Sequence, residues 1–563
     1  MLGIGELPSW DTTYVDYDYV IVGAGTAGCT LAARLSENPD VTVLLLESGG
    51  EGGGLWEALP LGVGKVLNLP DRVWHDVTEP QPDTREHPVD WAAGRCLGGS
   101  SAVNAMLFVR GHPAMYDRMA AGCTGWDYAQ CLPYFRKLED CRFSTSSVRG
   151  VGGPIGVERV EPDRISDAFL RACETLGHSR IADYNDELPD GASYLQLSTR
   201  NRLRCSAAAG YLRPARGRPN LTVKTNATVQ RIVFERRAAV GVLCVGSAIE
   251  VRARREVIVA AGAVRSPALL ERSGVGARHR LAALGIEVIA DRSNVGENLQ
   301  DHLMPRICYA TSEPGTVNHF LNSRAMQVQE GLKFVLTRKG MLAKPPLTAT
   351  AFVRSDDAQQ LPNLRLQIGL MSAKQRIPTV DPNGTTPAAR IGLDPHSSIH
   401  IGVYDLYPKS RGSVHVRSAD PEERVVVRPC YLSDEKDRAA IVAGLRHVIA
   451  LASSAPLKAI ITHEIRPAFS APTDDELLAY AQATGHTCWH PAGTCRMGDD
   501  AHAVVDEECR VKGVERLRVV DASVFPFLTS SNTNIPVFML AERVARMIHD
   551  AHGSPAHATT PAA

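Results

Sequence analysis

The chain has 563 residues, 61 basic against 62 acidic, and a formal net charge of −1. This balance gives no electrostatic reason to expect nucleic acid or an anionic membrane as the main partner. With 44% hydrophobic and 22% charged residues it excludes wholesale disorder; at roughly 100 to 200 residues per folding unit, the length allows three or four domains or one large two-domain enzyme.

The N-terminal Met1 to Glu6 lacks the basic start and long apolar stretch of a secretory signal. No run approaches the roughly 18 apolar residues that span a bilayer, so no transmembrane segment is expected. Thirteen cysteines lie scattered from Cys29 to Cys509 without a C-x-x-C pair, a pattern of reduced thiols in a cytosolic protein. Cytoplasm is the expected address, peripheral membrane contact stays open, and no metal centre is expected.

The first informative segment is Tyr17 to Val22, a short β-branched run that enters Gly23-Ala24-Gly25-Thr26-Ala27-Gly28. It reads as strand and turn, with a helix following from Ala27 to Leu35. A second apolar run, Val41 to Leu46, ends at Glu47, nineteen residues beyond Gly28. Together these make a β-α-β unit carrying the dinucleotide fingerprint G-x-G-x-x-G with its acidic residue. Gly23 serves the tight turn, Gly25 the approach of backbone to pyrophosphate, and Gly28 the close packing of helix on strand. Thr26 and Ala27 open the helix, whose free N–H groups and positive dipole end favour phosphate. Glu47 suits a ribose and repels a 2′-phosphate. NAD and FAD fit this unit equally.

Next comes Gly94-Arg95-Cys96-Leu97-Gly98-Gly99-Ser100-Ser101-Ala102-Val103-Asn104, where small residues let backbone N–H groups crowd a phosphate or a ring edge. Taken with Gly125-Trp126, Arg218 to Val223, Gly262 to Pro267, Asn294 to His302, Ser410-Arg411-Gly412 and the block from His490 to Ile548, it resembles the glucose–methanol–choline (GMC) family of FAD-dependent oxidoreductases. The matches run in the family's order over nearly the whole chain.

The resemblance implies an α/β fold: a Rossmann-like FAD-binding domain interleaved with an α+β substrate-binding domain built on an antiparallel sheet. The FAD domain takes residues 14–155, 218–305 and 485–552, the substrate domain 156–217 and 306–484, and 553–563 is a flexible tail. Arg95, Gly98, Gly99, Ser100, Asn104, Val229, Asp521, Ala522 and Asn532 join the fingerprint residues as FAD contacts, Val229 through its backbone near adenine. Some relatives attach FAD through a histidine near the Gly98-Gly99 block. Here Ala102, Val103 and Asn104 follow it, with no histidine before His112, so noncovalent FAD is expected.

The resemblance assigns His490, in Trp489-His490-Pro491-Ala492-Gly493-Thr494, as catalytic base and Asn532 as its partner. A neutral imidazole can take a hydroxyl proton, while an amide that cannot titrate positions the oxygen. The implied reaction is oxidation of a primary alcohol to an aldehyde, with hydride passing to flavin N5 and oxygen or another acceptor removing the electrons. A hydroxynitrile-lyase activity on the same scaffold is the alternative, and a noncatalytic FAD-binding protein is a third reading. His302 and His486 read as supporting rather than reacting residues. Trp489 is open between pocket wall and core. So are Phe320, Phe334, Leu342 and Phe352. A neutral aromatic or aliphatic alcohol is the expected substrate class.

Overall fold

The computed structural model describes residues 14–186, 188–373 and 392–552. The expected tail, 553–563, lies outside the described residues. Strand β1 (Tyr14–Val22), helix α1 (Thr26–Leu35) and strand β2 (Val43–Leu46) form the β-α-β unit. Parallel pairing joins Leu221–Lys224 to β2, β2 to β1, and β1 to Glu250–Val259. The last of these strands also takes Leu517–Val519 alongside it in parallel, and an antiparallel hairpin of Ala238–Cys244 and Val229–Glu235 completes a seven-stranded sheet. The unbroken apolar sequence of β2, buried at all four positions, is what a parallel strand covered on both faces requires.

This pairing brings the two ends of the chain together. Helix α1 lies against the C-terminal helix Asn534–Ala551. Between them Arg34 makes a two-pronged contact with the fully buried Glu542, at 2.9 Å from Nε and 2.6 Å from Nη2. Tyr211 donates to the same carboxylate at 2.8 Å, and Lys137 reaches it at 2.9 Å. Removing one partner of such a buried pair strands the other charge.

A second sheet has six antiparallel strands in the order Ile461–Arg466, Arg306–Thr311, Ser398–Asp405, Leu364–Gly369, Leu347–Val353, Gly191–Tyr194. The long helix Glu435–Ser453 packs on Ser398–Asp405, and Gly444 permits this, since a Cβ there would stand 2.6 Å from Val403 Cγ2. The α/β class and the antiparallel second sheet are as expected. Among the described residues, no helix is long and apolar enough to cross a membrane.

Candidate active site

Two contiguous clefts share Gly23, Ser48, Trp74, Ala261 and Arg265 in their walls, and the larger of them runs between the two sheets. The larger one is bounded at one end by the glycine turn and at the other by His490 and Asn532. The smaller one continues past Gly23 to Val229.

The glycine end is made of backbone. Gly23 has φ +99°, a conformation only glycine takes without strain, and a Cβ on Gly28 would collide with the Gly23 carbonyl oxygen. The second small-residue stretch packs onto this turn. Gly98 N donates to Ala24 O at 2.8 Å, and a Cβ on Gly99 would lie 2.6 Å from Gly25 Cα. Three helices start at the cleft wall, at Thr26, Gly262 and Asn534; the first and last have no side-chain cap, whereas the Gly262 N–H is taken by the Asp521 carboxylate. The first N–H groups and positive dipole ends at Thr26 and Asn534 thus border the same cleft, which suits an anionic ligand there. Thr26 Oγ1 donates to Asn534 Oδ1 at 2.7 Å and locks two of these helix starts together.

Both carboxylates here are tied to backbone. Glu47 accepts from Ala24 N and Gly49 N, each at 2.9 Å, one bond per oxygen; burial pushes its carboxyl upward against those bonds. Asp521 accepts from Gly262 N at 2.9 Å, Ser266 Oγ at 2.5 Å and Ser523 N at 2.8 Å. It therefore fixes the start of the Gly262–Arg272 helix. Gly23, Gly25, Thr26, Glu47, Gly99, Ser100, Asn104, Asp521, Ala522 and Asn532 all line the larger cleft, and Val229 lines the smaller. Ala27, Gly28, Gly98 and Arg95 line neither. Gly28 and Gly98 shape the turn from behind. Arg95 stacks on Trp74 at 4.2 Å, opposite Arg265 at 4.3 Å.

The other end is made of side chains. The Leu299 to Met304 segment pairs with His486 to Ala492, through Gln300 with Ala492 and Leu303 with Thr487. The buried Asp301 carboxylate accepts from His490 N at 2.8 Å, from Thr487 Oγ1 at 2.5 Å and from Tyr431. Burial raises its carboxyl to about 6, with those donors pulling it down. Asp301 is thereby the clasp of the His490 loop.

The hydrogen bonds around His490 run in one direction. His302 Nε2 faces Leu406 O at 3.3 Å, and a carbonyl can only accept, so the His302 proton is on Nε2. Its Nδ1 is then an acceptor, and the Nδ1 of His490, 2.9 Å away, must donate to it. That leaves His490 Nε2 with its lone pair, 2.7 Å from the Asn532 amide nitrogen. Asn532 is oriented in turn by Arg365, whose Nη1 donates to Asn532 Oδ1 at 2.7 Å. Burial, followed by His302 and Arg365, holds the His490 imidazole well below the usual histidine range; burial pulls His302 to about 3. Both rings are neutral at physiological pH.

Arg365 is fully buried, and among the described residues only neutral groups hold it: Thr350, Tyr404, Ser531 and Asn532 by hydrogen bonds, Gln367 alongside, and the Phe352 ring at 5.1 Å. Sequence reasoning missed it. The available signal was a lone arginine inside the apolar strand Leu364-Arg365-Leu366-Gln367-Ile368. His302 also stands closer to the reacting end than expected, in contact with His490. Trp489 is cleft wall, 43% exposed. His486 lies off the cleft against Arg306. Phe320, Phe334, Leu342 and Phe352 sit in small apolar clusters and none lines the clefts, which take Met304, Leu347 and Gln367 instead.

The GMC oxidoreductase family profile matches this chain in two parts, over residues 17–304 and 408–541. An oxygen-dependent choline dehydrogenase of Paraburkholderia phytofirmans is 36% identical over 546 residues, covering 95% of this chain and 94% of the relative. An uncharacterised GMC-type oxidoreductase of Mycobacterium bovis is 37% identical, with 94% and 99% covered. Among solved structures, pyridoxine 4-oxidase from Mesorbium loti superposes with a TM-score of 0.84 at 30% identity, over 96% of this chain and all of the other. The chain belongs to the GMC oxidoreductase family of FAD-dependent flavoenzymes acting on alcohols.

Proposed function

We propose that this chain oxidises a neutral primary alcohol to its aldehyde, with His490 Nε2 as the base and Asn532 as the group that orients the hydroxyl. The observation that carries the reading is the one-directional hydrogen-bond chain from Leu406 through His302 to His490, which leaves a basic lone pair on Nε2 at the cleft wall. An entering alcohol displaces the Asn532 amide as donor to Nε2 and accepts from that amide through its oxygen. The hydroxyl proton passes to His490, and the Arg365 charge behind Asn532 favours the negative charge that develops on oxygen.

The residues present fit FAD: the glycine turn, the two uncapped helix starts at Thr26 and Asn534 for a pyrophosphate, and the two joined clefts that lead from Val229 to His490. Glu47 keeps acceptor capacity for a ribose, since each of its oxygens has taken one bond. Gly23, Gly25, Thr26, Gly99, Ser100, Asn104 and Ala522 would border the bound group. When bound, the flavin supplies the hydride acceptor. We read the binding as noncovalent, because the Ser100–Val103 helix beside the cleft carries no histidine. The cofactor region is 14–155, 218–305 and 485–552, and the substrate region 156–217 and 306–484.

The substrate class follows from charge. The His490 end is walled by Leu107, Met304, Leu347, Gln367, Cys488 and Trp489, with the Arg365 charge, held only by neutral groups among the described residues, just behind. A quaternary ammonium such as the choline of the similar dehydrogenases meets repulsion here, and among the described residues no carboxylate lines this end of the cleft. Aromatic or aliphatic neutral alcohols do not. The test is anaerobic bleaching of the flavin by benzyl alcohol, an aliphatic alcohol and choline. Fast bleaching by the first two and none by choline is expected; preferred reduction by choline would overturn the substrate reading. Colour remaining on the polypeptide after denaturation would overturn noncovalent binding.

A further inference from the structure

One surface of the substrate region has no use in this chemistry. The helix Arg324–Thr337 packs by one side only, through Phe334 against Leu59 and Ala343, and through Glu330, whose carboxylate accepts from Met341 N at 2.7 Å. Its opposite side carries Ala325, Val328, Leu332, Val335 and Leu336, all exposed. Val335 and Leu336 are 73% and 81% exposed. At about 3.6 residues per turn these five positions fall in one arc of about 100°, the width of a stripe that normally faces a core. Here it faces outward. An exposed apolar band of this kind marks an interaction surface rather than scattered surface residues.

The charges around the stripe are of one sign. Arg324, Arg338 and Lys339 are exposed along and just beyond the helix, while its one acidic residue, Glu330, is turned inward and pairs with Lys333 at 3.6 Å. The net charge of −1 for the whole chain conceals this local basic edge. Leu55 and Trp56, four and three residues before the Leu59 that Phe334 packs on, are also exposed, and Lys65 lies 4.0 Å over the Trp56 ring. An outward apolar stripe with a basic rim and an adjacent tryptophan has the chemistry of a helix that lies in a membrane interface. The platform borders the cleft: Leu59, which Phe334 packs on, leads within four residues to Val63 in the cleft wall.

We propose that the Arg324–Thr337 helix, with Leu55 and Trp56 beside it, seats this protein peripherally on an anionic lipid surface. The apolar stripe enters the acyl boundary, and the basic residues meet the negative headgroups. The proposal is independent of which alcohol is oxidised, because it is read by binding alone.

The experiment is flotation of the holoprotein with vesicles of phosphatidylcholine, with and without phosphatidylglycerol, and light scattering of the free protein. Wild type should float with the phosphatidylglycerol vesicles, lose binding as salt is raised, and bind pure phosphatidylcholine far more weakly. L332E/L336D should lose at least about tenfold in vesicle affinity, and K339Q about fivefold. Both variants should keep the wild-type unfolding midpoint and turnover of a soluble alcohol, since none of these side chains is packed or lines the cleft. Absence of wild-type binding to the anionic vesicles, or undiminished binding of L332E/L336D, would overturn the proposal. So would a wild-type dimer that L332E/L336D converts to monomer, which would make the stripe a seam between two copies of this chain.

Discussion

The two ends of the cleft are built on different principles. At the glycine end the ligand meets main chain: a turn at Gly23, packing at Gly28 and Gly99, and two uncapped helix starts at Thr26 and Asn534. At the His490 end it meets side chains delivered by separate segments, with His302, Arg365, His490 and Asn532 drawn together across more than 200 residues of sequence. Binding a phosphate asks for N–H groups and room, which a short local motif supplies. Proton transfer asks for one oriented lone pair, and only tertiary structure can aim it.

Breaking each end should therefore fail in a different way. The largest effect belongs to the reacting end: His490→Ala should bind FAD with its normal spectrum yet lose about 10²- to 10⁴-fold in the rate of anaerobic flavin reduction. An unchanged rate would remove His490 from the chemistry. The glycine end should show the reverse. Gly99→Ala, with a Cβ 2.6 Å from Gly25 Cα at a residue of φ +51°, should give folded protein that is colourless or loses FAD on gel filtration. Retention of a full complement of FAD would mean that this crossing has more room than its geometry indicates.

The contact between the two chain ends supports both. Glu542→Gln leaves Arg34 facing a neutral amide in a buried setting, and should cost about 3 kcal/mol of stability. A lowered midpoint in chemical denaturation checks this, and a shift under half that size would mean that Lys137 and Arg34 find water instead.

The β-α-β unit and its glycine turn were legible in the sequence because their signals are local, whereas the interleaved domains and the antiparallel second sheet followed from the family resemblance. The run Val43 to Leu46 is apolar at every position because both of its faces are covered, and the spacing of Gly23, Gly25 and Gly28 is the turn itself. Leu517–Val519 could join the same sheet only through pairing with Val257–Val259, which no local pattern records. At the reacting end, motif context reached His490 and Asn532 but not what directs them. His302 looked structural, since nothing in its neighbourhood announces that it meets His490. Arg365 was hidden because an arginine in a strand usually points to solvent, and its burial depends on Thr350, Tyr404 and Ser531 arriving from elsewhere. The phenylalanines of 320 to 352 were ambiguous because a core and a pocket wall have the same composition, and the structure puts them in the core.

Subtler changes sharpen the electrostatic side of the comparison. Because burial, His302 and Arg365 all hold the His490 imidazole down, its protonated and inactive form gains ground only well below the ordinary histidine value of about 6.5. The kcat/KM for a neutral alcohol should thus be flat at and above neutrality and fall only on the acid side, with its limb far below that value. Arg365→Met removes one of the depressing charges and should move the limb upward in pH, with a smaller loss of rate than His490→Ala. A limb that stays where it was would mean that the Arg365 charge does not reach the base.

The central claim is that His302 and Asn532 leave a neutral His490 with its proton on Nδ1 and its lone pair on Nε2. Nitrogen NMR of the holoprotein labelled at its histidine ring nitrogens reads this directly, with the His490 signals assigned by their loss in His490→Gln. At neutral pH the account predicts a protonated Nδ1 and an unprotonated Nε2 that loses its basic signature when a slow alcohol analogue binds. An imidazolium, or a proton resident on Nε2, would contradict it.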